Sequence, residues 1–176
     1  FFNAATLSWS EWPALPRPLA YGGMCAHAGA LYLLGGCDAE RAYRDVYRLD
    51  AGRWEKVGET PETLLYTVAI SAGRHIYLLA GTPDTADLSR ATDHAWAYDP
   101  AAGAWHALPA IPGGPRAVHA GAALDGYVYL FGGCRQTADG VANLNSVCRL
   151  RVADEVWEER APAPIAGRSW GAAAAG

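Results

Sequence analysis

The stretch Tyr127-Val128-Tyr129-Leu130-Phe131-Gly132-Gly133 is an apolar run that ends in a glycine pair, and its pattern recurs along the chain. A first copy occupies Leu31–Gly36, and a reduced one ends at Ala80-Gly81. Each copy is followed by a tryptophan, at Trp54, Trp105 and Trp157. The spacing of about fifty residues, kept over three copies, predicts a repeat protein.

The apolar runs are short, rich in Val, Leu, Tyr and Trp, and separated by turn signals such as Asp99-Pro100 and Asp125-Gly126. Helical periodicity does not extend over a dozen residues anywhere, and prolines interrupt the chain repeatedly. The pattern therefore predicts an all-β protein in which one period forms one four-stranded antiparallel sheet. The predicted strands of the first period are Ala20–Ala26, Ala30–Leu34, Asp45–Leu49 and Trp54–Val57.

The composition excludes several classes of protein. The 176 residues are 51% hydrophobic and 18% charged with a net charge of −4, which indicates a folded chain without long disorder. Because Lys and Arg are not clustered and no apolar run is long enough to span a membrane, we expect no nucleic-acid or membrane partner. No signal peptide is visible, and the compartment stays open between bacterial periplasm and cytoplasm.

Cysteines and histidines give no support for a metal site. The four cysteines form no CxxC pair, and the five histidines include no pair at i and i+4. We therefore predict buried thiols and no metal.

Each period contains four predicted strands. A glycine pair ends the second strand, an aromatic residue lies in the third and a tryptophan opens the fourth. Together these features resemble the kelch repeat. In that family each repeat is one blade of a β-propeller. The resemblance implies that glycines let the inner part of a blade approach its neighbour, while Tyr and Trp fill the wider gap outside. A six-bladed ring with this period needs about 300 residues, so three blades make half a ring.

The resemblance implies that residues 1–176 form a partial kelch propeller. We assign residues 1–16 to the outer strand of a preceding blade (Ser8–Trp12) and 164–176 to the inner strand of a following one (Arg168–Ala175), with blade A at 17–60, blade B at 61–111 and blade C at 112–163. This division predicts fourteen strands and two bare blade faces. The missing blades come from a longer chain or from a second copy; we favour the longer chain, because innermost and outermost strands are not neighbours in a blade.

Three stretches resemble more narrowly the bacterial N-acetylneuraminate epimerases, also called sialic acid mutarotases, including their circularly permuted branch. They are Pro16–Gly22, Gly35–Val46 and Trp105–Arg116, of which Ile111-Pro112-Gly113-Gly114-Pro115-Arg116 is the most specific. The resemblance implies an isomerase that interconverts the anomers of N-acetylneuraminate without a cofactor. We find no motif for the blade that carries the family's proton-transfer residues. No catalytic residue is therefore assigned, and three blades alone are expected to have little activity.

The segments that lead into each inner strand of a propeller reach the mouth of the central channel, where ligands collect. Here they carry Arg17, Tyr21, Arg116, His119 and Arg168. Arginines suit bidentate recognition of an anionic ligand, and a histidine titrates near neutral pH. The alternative is a structural role, in which each arginine caps a turn or pairs with a carboxylate of the adjacent blade.

The loop after the first glycine pair carries Asp38, Glu40 and Arg41, in which carboxylates beside an arginine fit an acid/base group and the residue that orients it. The alternative is a solvated loop with weak surface ion pairs. A non-catalytic kelch module that binds an acidic peptide, a protein or a carbohydrate at the channel mouth is the competing function, because arginines suit these ligands as well.

Overall fold

The computed structural model describes residues 2–164, 167 and 171, which contain sixteen β-strands and one short 3-10 helix. The strands confirm the predicted all-β class. No helix in the described part of the chain is long and apolar enough to cross a membrane.

The sixteen strands form three four-stranded antiparallel sheets and two hairpins. A hairpin of β1 (Phe2–Asn3) and β2 (Ser8–Trp9) comes first. Blade A contains β3 (Gly23–His27), β4 (Ala30–Leu34), β5 (Asp45–Asp50) and β6 (Arg53–Glu59). Blade B contains β7 (Val68–Ala72), β8 (His75–Gly81), β9 (Thr92–Asp99) and β10 (Ala104–Ala107), with the 3-10 helix Leu88–Arg90 before β9. Blade C contains β11 (Ala120–Leu124), β12 (Tyr127–Phe131), β15 (Val147–Arg151) and β16 (Val156–Arg160), and the hairpin of β13 (Cys134–Thr137) and β14 (Gly140–Asn143) is inserted between β12 and β15.

Within each blade the strands are paired in chain order, and neighbouring blades meet through their first strands, since β7 contacts both β3 and β11. Side chains alternate across β8 because successive residues of a strand face opposite sides. Ile76 and Leu78 pack on blade A, whereas Tyr77 and Leu79 pack on blade C. The two hydrophobic cores therefore lie between blades, as expected for sheets stacked around a common axis.

Glycines allow close approach at two kinds of position. Gly23 and Gly121 lie in the first strands, where a Cβ would come within 2.9 Å of the Ala69 Cβ and 2.5 Å of the Ile70 Cδ1 of blade B. The glycine pairs themselves approach their own blade: a Cβ on Gly81 would lie 2.6 Å from the carbonyl oxygen of Leu65. The glycines that let one blade approach the next are therefore those of the first strands. The glycine pairs instead bring β4, β8 and β12 against the segments that lead into their own blades.

Two of the repeated tryptophans bind the backbone of residues that precede their blades. The Trp54 indole N–H donates to the carbonyl of Pro13 at 3.1 Å, and the Trp157 N–H donates to that of Pro109 at 2.9 Å. In blade B the ring of Trp105 stacks on Tyr98, with 4.7 Å between ring centroids. The tryptophans of blades A and C therefore have the same role, and that of blade B packs differently.

The strand count differs from the predicted fourteen because three short strands carry little sequence signal. Strand β2 ends at Trp9 and pairs with β1, which sequence analysis did not identify. Strands β13 and β14 occupy a stretch in which the sequence analysis predicted no strand. The predicted inner strand Arg168–Ala175 lies outside the described residues, apart from Gly171.

Replacement of Gly81 by alanine tests the close approach in blade B. Gly81 has a φ of +128°, and the new Cβ would clash with the Leu65 carbonyl, so we expect Gly81→Ala to lower the free energy of unfolding by about 3 kcal/mol. The matched control is Gly103→Ala, at a φ of +64° with no atom within 4 Å, which should lose only about 1 kcal/mol. Urea denaturation measures both, and equal losses would contradict the packing described.

Candidate functional site

One end of each blade carries both the segment that leads into the first strand and the loop between the second and third strands, because antiparallel strands alternate in direction. We call this end the loop face. It comprises residues 17–22, 60–67 and 111–119 and the loops 35–44, 82–91 and 132–146. Isolated bridges join segment to loop in every blade, at Ala20–Cys37, Leu65–Thr82 and Ala117–Cys134. The loop face is therefore tied together by backbone hydrogen bonds.

A row of strained residues crosses the loop face from blade to blade. Tyr21, Tyr66 and Val118 occupy equivalent positions and have φ values of +62°, +54° and +57°. The Tyr66 N–H donates to the carbonyl of Tyr21, and the Val118 N–H to that of Tyr66, each at 3.0 Å. Left-handed backbone costs a non-glycine residue about 1–2 kcal/mol, so the surrounding hydrogen bonds must hold it in place.

Three of the predicted residues of blade A meet around Tyr43, which sequence analysis did not single out. The guanidinium carbons of Arg17 and Arg41 lie 4.3 Å and 4.8 Å from the centroid of the Tyr43 ring. The Tyr43 hydroxyl donates to Asp38 Oδ2 at 2.5 Å. We call Arg17, Asp38, Arg41 and Tyr43 the arginine–tyrosine cluster.

The hydrogen bonds around Asp38 fix its charge. The Tyr43 hydroxyl and the backbone N–H groups of Arg41 and Glu40 donate to this carboxylate, and together they lower its pKa to about 2. Asp38 is therefore ionised at neutral pH and serves as an acceptor. Glu40 is exposed at the tip of the same loop, and its backbone N–H is its contribution to the cluster.

Arg17 is bound only loosely by carboxylates. Its Nη2 lies 3.6 Å from Asp45 Oδ2, a carboxylate that Lys56 contacts more closely at 2.7 Å. Arg41 is exposed, and within the described residues no carboxylate oxygen lies within ion-pair distance of its guanidinium. Both guanidinium groups therefore keep N–H donors for a ligand.

Arg116 is placed differently from Arg17, because its side chain is completely buried. Its guanidinium donates to the carbonyl of Pro112 at 2.6 Å and to the hydroxyl of Ser146 at 3.0 Å. Gly113 lets the loop curl around the side chain, since a Cβ there would lie 2.8 Å from Nη2. The run Ile111–Arg116 is thus a loop folded around its own arginine, and burial lowers the pKa of that group.

His119 is also buried, with 5% of its surface exposed. Its Nε2 lies 2.9 Å from the carbonyl oxygen of Leu79 in blade B, which also accepts from the Thr67 hydroxyl. Because a carbonyl only accepts, Nε2 carries the proton. Burial, with the nearby charge of Arg116, lowers the pKa of His119 to about 3. The imidazole is therefore neutral at physiological pH and joins blade C to blade B.

Tyr21 is half-exposed at the loop face, and its ring packs against Tyr66 with 4.6 Å between centroids. A cavity of about 210 Å³ opens beside this pair, lined by Tyr66, Thr67, Val118, His119 and Gly171. A second one of about 320 Å³ runs along the first strands of the three blades. The loop face therefore presents an aromatic pair beside a concave channel wall.

The structure thus brings Arg17, Asp38 and Arg41 together and separates them from the buried Arg116 and His119. Arg168 lies outside the described residues. Sequence analysis missed Tyr43, although the alternation Arg41-Ala42-Tyr43 in an extended loop is the signal that places two side chains on one side. The described residues contain no group of three His, Cys, Asp or Glu side chains that could hold a metal ion.

The depressed pKa of His119 predicts a loss of stability in acid. The unfolded chain binds a proton near the usual pKa of 6.5, whereas the folded chain resists it down to about 3. Between these values the free energy of unfolding should fall by about 1.4 kcal/mol per pH unit on acidification.

His119→Gln keeps an N–H donor for Leu79 and cannot titrate, so its unfolding free energy should fall less steeply than that of the wild type between pH 6 and pH 4. Denaturation at several pH values measures the difference. Parallel curves for the two proteins would show that His119 is not buried in its neutral form.

Comparisons with known proteins agree with this geometry. The profile of the KLHDC2/KLHL20/DRC7 Kelch-repeats domain matches residues 1–174. "Kelch-like protein 33" of Homo sapiens is 27% identical over 146 residues, 79% of this chain and 26% of the relative. "Beta-scruin" of Limulus polyphemus is 26% identical over 144 residues, 77% of this chain and 15% of the relative.

A solved structure titled "Structure of YjhT" superposes with a TM-score of 0.82 at 14% identity, and the match covers 98% of this chain and 64% of that one. The chain thus spans about a quarter or less of these two curated relatives. The profile match over nearly all residues, together with three blades stacked through their first strands, shows that the chain belongs to the kelch-repeat family and forms blades of a β-propeller.

Proposed function

We propose that the loop face binds N-acetylneuraminate and that the propeller of which these blades are part interconverts its α and β anomers. The observation that carries the proposal is the arginine–tyrosine cluster, in which two guanidinium groups lie over one aromatic ring at the loop face. The resemblance of Pro16–Gly22 and Gly35–Val46 to the sialic acid mutarotases supports it, because these two stretches supply all four residues of the cluster.

The cluster suits a carboxylate. Guanidinium groups donate paired N–H bonds to a carboxylate, and both arginines keep donors for this purpose. Stacking on Tyr43 restricts the arginine side chains before a ligand arrives, which reduces the entropy lost on binding. In this proposal Arg17 and Arg41 bind the carboxylate of the sugar acid, while ionised Asp38 holds Tyr43 between them.

Mutarotation itself requires a proton to leave the anomeric hydroxyl and another to reach the ring oxygen. The described residues supply binding and orientation for this step. Asp38 is too weak a base at a pKa of about 2, and His119 is neutral and buried. We place the acid/base groups of the reaction in blades beyond this chain.

A second candidate is a kelch module that binds the carboxylates of an acidic peptide, a protein or a carbohydrate. Its support is the exposure of Arg41 at the rim of the loop face, where a large ligand can reach it. The names of the two curated relatives also state no reaction. The two candidates differ in whether sugar anomers exchange.

NMR exchange spectroscopy of N-acetylneuraminate tests the proposal on the protein that contains this chain. We expect faster anomer exchange than in buffer, and we expect Arg17→Gln and Arg41→Gln each to reduce the second-order rate by about tenfold, because each loses a charged hydrogen bond. The control Arg53→Gln removes an exposed arginine of β6 that pairs with Glu55 and should leave the rate unchanged. Exchange equal to the buffer blank would refute mutarotation.

A further inference from the structure

We propose that Tyr21 and Tyr66 form a stacking platform for the apolar face of a neutral pyranose ring, seated over the channel cavity. This inference rests on the proposed function and deepens it, since it assigns the part of the sugar that the arginines do not bind. The platform shares no residue with the arginine–tyrosine cluster, because Tyr21 and Tyr66 belong to the row of strained residues.

The backbone of Tyr21 is the first argument. A residue held at φ +62° is cheapest as glycine, because a side chain costs about 1–2 kcal/mol there. The position nevertheless carries a large aromatic side chain that leaves 47% of its surface exposed. Core packing does not explain a tyrosine here, and strain kept at an exposed site indicates a role for the side chain.

The rigidity of the pair is the second argument. The rings of Tyr21 and Tyr66 are tilted by 55° with their centroids 4.6 Å apart, and the Tyr66 N–H is bound to the carbonyl of Tyr21. A hydrogen bond between the two side chains helps to raise the pKa of Tyr66, after the larger effect of burial. Each side chain has two rotatable bonds, both restricted by these contacts, so a ligand that stacks on the rings loses little further entropy of the protein.

The adjoining cavity identifies the class of ligand. Its described lining, Tyr66, Thr67, Val118, His119 and Gly171, carries no charge at neutral pH. None of these described side chains offers a cation to the carboxylate of an acidic peptide, which would lose hydration there. A volume of about 210 Å³ accommodates a single ring. An uncharged ring with C–H groups on one face and hydroxyls at its edge fits both the aromatic pair and this lining.

Saturation-transfer difference NMR with methyl β-galactopyranoside tests the platform without involving the carboxylate or the anomeric hydroxyl. We expect saturation of the ring C–H protons by the wild type, and an affinity loss of about fivefold to tenfold in Tyr21→Gly. Tyr21→Phe keeps the ring and should bind like the wild type. Ala51→Gly, a substitution at φ +48° in the turn between β5 and β6, is the matched backbone control and should not affect binding.

Arg53→Gln, at an exposed arginine of β6, should leave the binding of this glycoside unchanged. Because the glycoside has neither a carboxylate nor a free anomeric hydroxyl, its binding is measured separately from the proposed mutarotation. If anomer exchange is absent and the glycoside still binds through Tyr21, the proposed function fails and the platform stands. If Tyr21→Gly does not fold, Tyr21→Leu replaces it, since leucine keeps apolar bulk without an aromatic face. Absence of saturation in the wild type, or equal binding by Tyr21→Gly or its leucine replacement, overturns the platform.

Discussion

Backbone hydrogen bonds between successive blades, from Tyr66 to Tyr21 and from Val118 to Tyr66, fix the relative positions of the blades at the loop face. They form only when these residues adopt left-handed backbone, which aims each N–H at the preceding blade. The strain is offset by the two interblade cores, where the alternating side chains of β8 pack on both neighbours. The tyrosine pair and the cavity at Tyr66 lie between blades and depend on this register, whereas the contacts of the arginine–tyrosine cluster are all within blade A.

The repeat supplies a common backbone at the loop face, and each blade uses it for different chemistry. In blade A the loop after the glycine pair displays charged groups around Tyr43. In blade C the equivalent end is folded around the buried Arg116, while His119 binds the neighbouring blade. Blade A thus places two guanidinium groups over one aromatic ring, whereas the described lining of the cavity at Tyr66 carries no charge at neutral pH. These two environments suit a ligand with one anionic group and one neutral ring.

Much of the fold could be predicted from the sequence because glycine pairs and tryptophans report constraints that act locally. Gly81 must approach the Leu65 carbonyl, and Trp54 must reach Pro13, so their identity and spacing carry the period of the blade. Strands β13 and β14 were missed because their polar residues lack the alternation of a half-buried strand. Across the turn that joins them, the Thr137 hydroxyl donates to the carbonyl of Gly140.

The candidate site was only partly predictable. Arg17 and Arg116 follow prolines in similar segments, yet one reaches Tyr43 and the other is buried, because only the second has Gly113 to let the loop close over it. The left-handed conformation of Tyr21 has no signal in residue type, since it arises from contacts with the next blade. Residue types therefore predicted the kind of chemistry, whereas the tertiary contacts determined which side chains face a ligand.

Native-state hydrogen exchange of the Tyr66 and Val118 amides tests the central claim most directly, because these two groups form the bonds between blades. Our account predicts that both exchange as slowly as the amide of Leu78 in the core of blade B, since they open only when blades separate. Exchange as fast as that of Gly103 in the turn between β9 and β10 would show that the blades are not joined at the loop face and would contradict the account.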